Sequence, residues 1–336
     1  RLSLVGSEMC IRDSLYRQSP ITYGSYQSLA NIYGLFNKMK VTDSAAFYYH
    51  SLDSIYESLP ENAYKDKYHL CRGIAENVPA GENELNLRWR LKGLKSLEHF
   101  GSDRELMNAN AHIASLMEQP GYDELFNYRL EALRIAKKLK DKRAIIDQNN
   151  RLSRYNQGVG KLEKALQYLQ ESAVIADSLN DAALKCSVYR QLGDFYCYCV
   201  DNYKVAAKYT LKARELAMKE NFISEIIGTN FLMAELFEAS GDYDKALQYR
   251  LDCESIIQEN KYNLHHLPVQ YSNISQCYLL LNKPIQAKEY LAKLEEALNK
   301  DGWGIKFEYT APNTPQQNGI VERAFASLYS RARSMM

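Results

Sequence analysis

The chain has 336 residues, and its 42 lysines and arginines are balanced by 41 aspartates and glutamates. That balance excludes a strong basic field, so composition gives no reason to expect binding to nucleic acid or to an anionic membrane surface. The sequence has no apolar run of about 18 residues, so no membrane span is predicted. Tyrosine is abundant at 26 residues while glycine (16) and proline (8) are few, which is typical of a helix-rich protein packed with amphipathic aromatic side chains.

The first fourteen residues show neither helical nor strand periodicity. Residues 4–13, "LVGSEMCIRD", resemble the conceptual translation of a transposase-type sequencing adapter, and Ser14 is compatible with its end. We therefore expect residues 1–14 to be non-native sequence with no part in the fold, and the natural start to lie elsewhere. A natural leader is the alternative interpretation.

The middle of the chain is a helical repeat, degenerate over residues 15–104 and regular over 105–300. One anchor position recurs in each regular unit at separations of 40, 41, 40 and 41 residues: Leu125, Ala165, Ala206, Ala246 and Ala287. Three units also carry a small residue and an aromatic one three positions later, at Gly193/Tyr196, Ala234/Phe237 and Ser275/Tyr278. This period predicts an all-α fold of stacked helix–turn–helix units.

Spacing and turn chemistry support the same prediction. A small residue recurs seven positions after the anchor, as Ala213 does after Ala206, so both face a neighbouring helix that can approach closely. Gly241 suits the left-handed position after a helix, and Asp242 suits the N-cap of the next one. Pro284 suits a first helical position, where its missing N–H costs nothing.

These small, aromatic and alanine positions resemble the tetratricopeptide repeat over about residues 105–298. The resemblance implies a solenoid of helical hairpins that acts as a non-catalytic protein–protein interaction scaffold or sensor segment. The period of 40–41 residues exceeds the usual value of about 34, and helices longer by about a turn would explain the difference. Tetratricopeptide-like sensor segments of bacterial regulators have such helices.

In that family the first helix of each pair lines a concave groove. Polar residues recur on these helices every three or four positions, opposite the apolar stripe. We expect them to bind a protein or peptide ligand, although an ordinary solvated face is the alternative. Their charges are mixed and favour no single ligand charge. The groove candidates are Asp147, Asn150, Arg154, Gln157, Arg190, Asp194, Glu235, Glu238 and Gln276.

Cysteine and histidine patterns predict neither disulfides nor a metal site. Seven cysteines is an odd number without framework spacing, and most occupy apolar helix positions, so we expect a soluble protein in a reducing compartment such as the cytoplasm. His265 and His266 have no cysteine or acidic pair beside them, and Cys197 and Cys199 fall on different sides of a helix. No nucleophile–base set or phosphate loop is recognisable, so we expect neither enzyme activity nor a cofactor.

Residues 302–336 differ in character from the repeats. The stretch "TAPNTPQQNGIVER" (310–323) resembles the end of the integrase core of copia-type retrotransposons. The resemblance implies that Glu322 is the third of three carboxylates that hold divalent metal such as Mg²⁺, with Gln316, Gln317 and Asn318 near the DNA ends. We expect a loop over 310–318 and then a helix from about Ile320, appended to the array.

The other two carboxylates of that site are missing. Counting back by the family's spacing reaches Gln286, inside the last repeat, and Asp301 is too close to Glu322. One carboxylate cannot hold the two metals that flank a phosphodiester, so we expect no DNA integration and a vestigial Glu322. Three interpretations remain: a repeat scaffold with foreign sequence at both ends, an integrase-family gene product, and a genuine fusion. The adapter-like start favours the first.

Overall fold

The structure of the protein is a computed structural model, and it describes residues 23–116, 123–262 and 264–300. Within these ranges the protein is all-α, with fourteen α-helices, one 3-10 turn (Leu264–His266) and no strand. None of these helices is long and apolar enough to cross a membrane. Two compact units divide the chain, Arg1–Ser172 and Ala173–Met336.

Consecutive helices pair into seven hairpins across the described ranges. The pairs are α1 (Tyr23–Lys38) with α2 (Thr42–Ser58), α3 (Tyr64–Asn77) with α4 (Asn83–Leu97), α5 (Asp103–Ser115) with α6 (Asp123–Lys138), α7 (Lys142–Gly158) with α8 (Leu162–Asp177), α9 (Ala182–Tyr198) with α10 (Tyr203–Lys219), α11 (Ile223–Ala239) with α12 (Tyr243–Glu259), and α13 (Leu267–Leu280) with α14 (Pro284–Lys300). Residues 23–97, where the sequence shows only a degenerate repeat, form hairpins of the same kind.

The turns end and start helices as the sequence predicts. Gly241 is left-handed (φ +78°), and the N–H of Asp242 donates to the Phe237 carbonyl at 2.9 Å, which closes the end of α11. The Asp242 carboxylate then accepts from the Lys245 N–H at 3.2 Å and caps α12. Pro284 is the first residue of α14. These three predictions are confirmed.

The predicted small-residue stripe is the contact line between helices. Its members on the second helices are completely buried: Ala165, Ser172, Ala206, Ala213, Ala246 and Cys253. On the first helix of one hairpin, a Cβ added at Gly193 would lie 2.6 Å from Thr210 Oγ1 and 3.0 Å from Leu232 Cδ2. Helix α9 can therefore approach α10 and α11 this closely only because Gly193 has no side chain.

The cysteines of the described ranges are free thiols used for packing. Cys71, Cys186, Cys197, Cys253 and Cys277 are buried. Burial raises the pKa of the Cys71 and Cys253 thiols to about 12, so they stay protonated and unreactive near neutral pH. The prediction that most cysteines act as small buried hydrophobes is confirmed for these five.

Candidate peptide-binding surface

All nine groove candidates lie on first helices of hairpins. Those of the first unit are on α7: Asp147, Asn150, Arg154 and Gln157. Those of the second unit are on α9, α11 and α13: Arg190, Asp194, Glu235, Glu238 and Gln276. Asp147, Arg154 and Gln276 are exposed, and the other six are half-buried. Because the units are separate bodies, each surface stands by itself.

The α7 surface is a row of polar side chains tied along one helix. The Asp147 carboxylate accepts from Arg151 Nε at 3.2 Å and from Gln148 Nε2 at 2.9 Å. Gln157 Nε2 donates to Ser153 Oγ at 3.0 Å. Asn150 Oδ1 is buried and accepts no hydrogen bond within the part of the chain that the structure describes.

In the second unit, α9 and α11 are joined by an ionic cluster around Arg190. Its Nε lies 2.7 Å from Glu225 Oε2, and its Nη1 lies 3.0 Å from Asp194 Oδ2. The arginine crosses the backbone at Gly228, where an added Cβ would come within 2.9 Å of Arg190 Cδ. Burial raises the pKa of Asp194 to about 6, against the opposing effect of Arg190.

A second cluster centres on Arg250 of α12, which the sequence analysis missed. Its side chain is 1% exposed, and its Nη2 lies 2.5 Å from Glu235 Oε1 and 3.0 Å from Glu238 Oε1. The guanidinium also stacks 4.4 Å from the centroid of the Phe231 ring. Burial opposes its charge, but the two glutamates outweigh burial and raise the pKa of Arg250. Glu235 and Glu238 thus hold a buried cation as well as lining the surface.

The repeat contains a signal that could have revealed Arg250. It lies four residues after the anchor Ala246, on the buried side of the second helix. Four residues after the anchor Leu125 stands Arg129, which is 5% exposed and donates from Nη1 to Gln148 Oε1 at 3.0 Å. An arginine on a buried helical face implies polar partners on a neighbouring helix.

The arrangement favours recognition over catalysis. Carboxylates, guanidinium groups and amides are held in fixed positions by one another, which suits hydrogen bonding to a second polypeptide. Across the described ranges, no group of three or more His, Cys, Asp or Glu side chains could hold a metal ion. His265 and His266 lie in the 3-10 turn before α13.

Several predictions fall outside the described residues. These concern the adapter-like residues 1–14 and the integrase-like segment 302–336 with Glu322, Gln316, Gln317 and Asn318. They stay predictions from sequence.

Three solved structures are similar to this chain. BtubC (BKLC) from P. vanneervenii is 14% identical, and the match covers 69% of this chain and 98% of that chain with a TM-score of 0.58. Aspartyl phosphate phosphatase F from Bacillus subtilis is 10% identical, and the match covers 88% of this chain and 99% of that chain with a TM-score of 0.56. A signal transduction ATPase with a tetratricopeptide repeat sensor from Pyrococcus horikoshii is 16% identical, and the match covers 82% of this chain and 44% of that chain with a TM-score of 0.57. No protein-family profile matches the chain, and no curated protein matches it. At such low identities the likeness shows the fold alone, and it confirms an all-α, tetratricopeptide-like helical-hairpin solenoid.

Proposed function

We propose that this chain is a non-catalytic interaction scaffold that binds an extended or helical segment of another protein on the first helices of its hairpins. The observation that carries the proposal is the run of ordered polar side chains on α9 and α11. Arg190, Asp194, Glu235 and Glu238 are each held by ion pairs, so binding would not have to order them again.

The fold supports the same function. A hairpin array presents successive first helices as a repeated surface, and extended surfaces of this kind are what repeat proteins use to bind partners. The Pyrococcus neighbour is described as having a tetratricopeptide repeat sensor, a role that a similar array could serve here. The surface carries both signs of charge, so hydrogen-bond geometry would select the ligand more than net charge would.

A display selection with the full chain tests this proposal. Peptides would be selected from a random library and their affinities compared between the wild type and Arg190→Glu, with Arg154→Glu made separately for the α7 surface. We expect at least one of these charge reversals to weaken peptide binding by about tenfold, because each replaces a guanidinium donor by a carboxylate, which repels the peptide's acceptors. The matched control is Lys208→Glu, an exposed lysine on the second helix α10.

Two results would argue against the scaffold function. The first is a selection that yields no peptide with saturable binding. The second is a set of peptides whose affinity changes equally in Lys208→Glu, Arg154→Glu and Arg190→Glu, since this would indicate non-specific charge effects. Unfolding curves of the variants separate lost binding from lost folding.

A second candidate rests on the motif around Glu322. That motif favours an integrase-family protein, and the absent partner carboxylates argue that it is inactive. Nicking of DNA with Mg²⁺ or Mn²⁺ that Glu322→Gln abolishes would support integrase activity and contradict the scaffold-only function. Amplification of genomic DNA across codons 290–310 distinguishes a genuine fusion, which gives a continuous product, from a mis-assembled chimera, which gives none.

A further inference from the structure

The first unit carries an apolar groove along the outer face of α4, separate from the α7 surface. We define the α4 groove by the side chains that line it: Glu84, Leu87, Arg88, Leu91, Lys92 and Lys95. It is shallow, with a volume of about 470 Å³. Its surface is almost entirely apolar, because the leucines and the aliphatic stems of the charged residues form its floor.

The leucines of the floor also pack against the neighbouring hairpin. Leu87 and Leu91 are only partly buried and pack against buried Leu94 and Ile113. Three further partly buried side chains contact the same cluster: Leu106, Ala109 and Tyr128. An apolar groove rimmed by charged residues is typical of a surface that another polypeptide covers.

The spacing of the lining residues sets the size of what could lie there. They recur at intervals of three, four, seven, eight and eleven residues from Glu84, so they share one face of the helix. From Glu84 to Lys95 the helix rises about 16 Å, which corresponds to about three turns of a second helix laid alongside.

The charged side chains at the edge of the α4 groove form a rim that is mostly basic. Two of its cationic side chains are held in place by neighbouring residues. The Arg88 guanidinium donates to the Tyr49 hydroxyl. The Lys92 ammonium lies 4.3 Å from the centroid of the Tyr56 ring and pairs with Glu57 at 3.2 Å. Lys95 is exposed, and Glu84 is the single carboxylate of the lining. The charge that complements this rim is negative.

We propose that the α4 groove docks an acidic amphipathic helix of a partner protein. Its apolar side chains contact Leu87 and Leu91, and its carboxylates face Arg88 and Lys95. Nucleic acid would satisfy the cations but would leave the apolar floor uncovered, so an acidic polypeptide fits both features. This surface belongs to the first unit and does not depend on the polar side chains of α9, α11 and α13.

Two synthetic helical peptides of about four turns test the proposal against the full chain. Both carry leucine at positions i, i+3, i+4 and i+7. One has glutamate and the other lysine at the flanking positions. By fluorescence anisotropy at low salt, we expect the glutamate peptide to bind saturably and the lysine peptide to bind at least about tenfold more weakly. The double reversal Arg88→Glu with Lys95→Glu should invert that preference.

The controls separate docking from folding. Arg88 and Lys95 are exposed, so their reversal should lower the melting temperature by only a few °C, through loss of the Arg88–Tyr49 hydrogen bond. Leu91→Gln should weaken the glutamate peptide about tenfold, whereas Lys161→Glu with Lys164→Glu, two exposed lysines elsewhere in the same unit, should not.

Three outcomes would overturn the proposal. One is equal affinity for the two peptides, and another is no saturable binding of the glutamate peptide up to about 1 mM. The third is a concentration-dependent dimer, seen by light scattering, that Leu91→Gln abolishes. That result would assign the α4 groove to a second copy of this chain.

Discussion

At the scale of single residues, the position four residues after the repeat anchor holds side chains of very different polarity. Four residues after successive anchors stand Arg129, Leu169, Thr210 and Arg250, and all four are buried. Arginine is tolerated where a neighbouring helix supplies acceptors, as Gln148 does for Arg129. Leu169 fills the same space with an apolar side chain, and the Thr210 hydroxyl donates to the Ala206 carbonyl at 2.8 Å.

Replacing Arg250 by leucine should therefore be strongly destabilising. We expect Arg250→Leu to lower the free energy of unfolding by about 3 kcal/mol, because Glu235 and Glu238 would be left half-buried without a counter-charge. Adding Glu235→Gln and Glu238→Gln should recover most of that loss. Urea unfolding measures both variants, and a triple variant no more stable than Arg250→Leu would contradict the ion-pair explanation.

Asp194 should make stability depend on pH in a narrow window. Its pKa is about 6 in the folded protein and about 3.9 when unfolded, so the folded state holds a proton that the unfolded chain releases. Stability from this group is complete below about pH 4 and is lost as pH rises through about 6. The carboxyl is partly exposed, which reduces the effect.

The variant Asp194→Asn isolates this contribution. We expect the melting temperature of the wild type to fall relative to that of Asp194→Asn as pH rises from about 4 to about 7, and the difference to be constant above that. A difference that does not change with pH, or that changes in the opposite direction, would show that Asp194 ionises normally.

At the scale of elements, the turns specify where each helix stops. Left-handed residues occur at most of the inter-helix turns, and six of them are not glycine: Lys40, Lys140, Asp201, Asn221, Lys261 and Asn282. A side chain in this conformation costs about 1 kcal/mol or more, so the turns are maintained by the helices they connect. The hydrogen bond that each following N–H makes offsets part of this cost, as that of Asp141 N–H to the Ala136 carbonyl does at 3.0 Å.

A reciprocal pair of substitutions tests this account of the turns. Gly241→Ala should destabilise the protein by about 1 kcal/mol through backbone strain alone, since no atom lies within 4 Å of the added Cβ. Lys140→Gly should stabilise it by roughly 0.5 kcal/mol, because the relief of strain exceeds the extra entropy of the unfolded chain. Chemical denaturation measures the free energy of unfolding of both variants. Destabilisation by both substitutions would contradict the explanation by backbone strain.

At the scale of the whole molecule, stability is a sum of local interfaces. Within each compact unit, hairpins pack on their neighbours in sequence, so a defect in one should loosen adjacent helices and leave remote ones unchanged. The two compact units strengthen this expectation. Gly193 is the best position for such a defect, because a Cβ added there would clash with side chains of both α10 and α11.

Hydrogen exchange of Gly193→Ala tests this locality. We expect amides of α9, α10 and α11 to exchange at least about tenfold faster, because the new Cβ meets a buried threonine. Amides of α1 to α4 should be unaffected. Gly228→Ala is a milder comparison, since its Cβ would meet only the half-buried side chain of Arg190, at 2.9 Å from Cδ. Faster exchange throughout the chain would indicate a single cooperative unit.

Local sequence patterns are enough to predict the repeat, the helix pairs of the regular region and several of the turns. These features follow from local spacing: a small residue every seven positions, a glycine and an aspartate between two helices, a proline at a helix start. The same patterns also place the groove candidates on the first helices, because helical periodicity separates a polar from an apolar side.

Only the tertiary structure decided what those side chains contact. Asp194 is a local partner of Arg190, four residues along the same helix, but its second partner, Glu225, is 35 residues away on another helix. The partners of Arg250 are 12 and 15 residues away on another helix, and no local pattern specifies these longer-range pairs. The α4 groove likewise exists because α4 and the following hairpin leave Leu87 and Leu91 partly uncovered. Periodicity fixes which face of a helix is buried, whereas packing between helices fixes how completely it is buried and what is left to bind a partner.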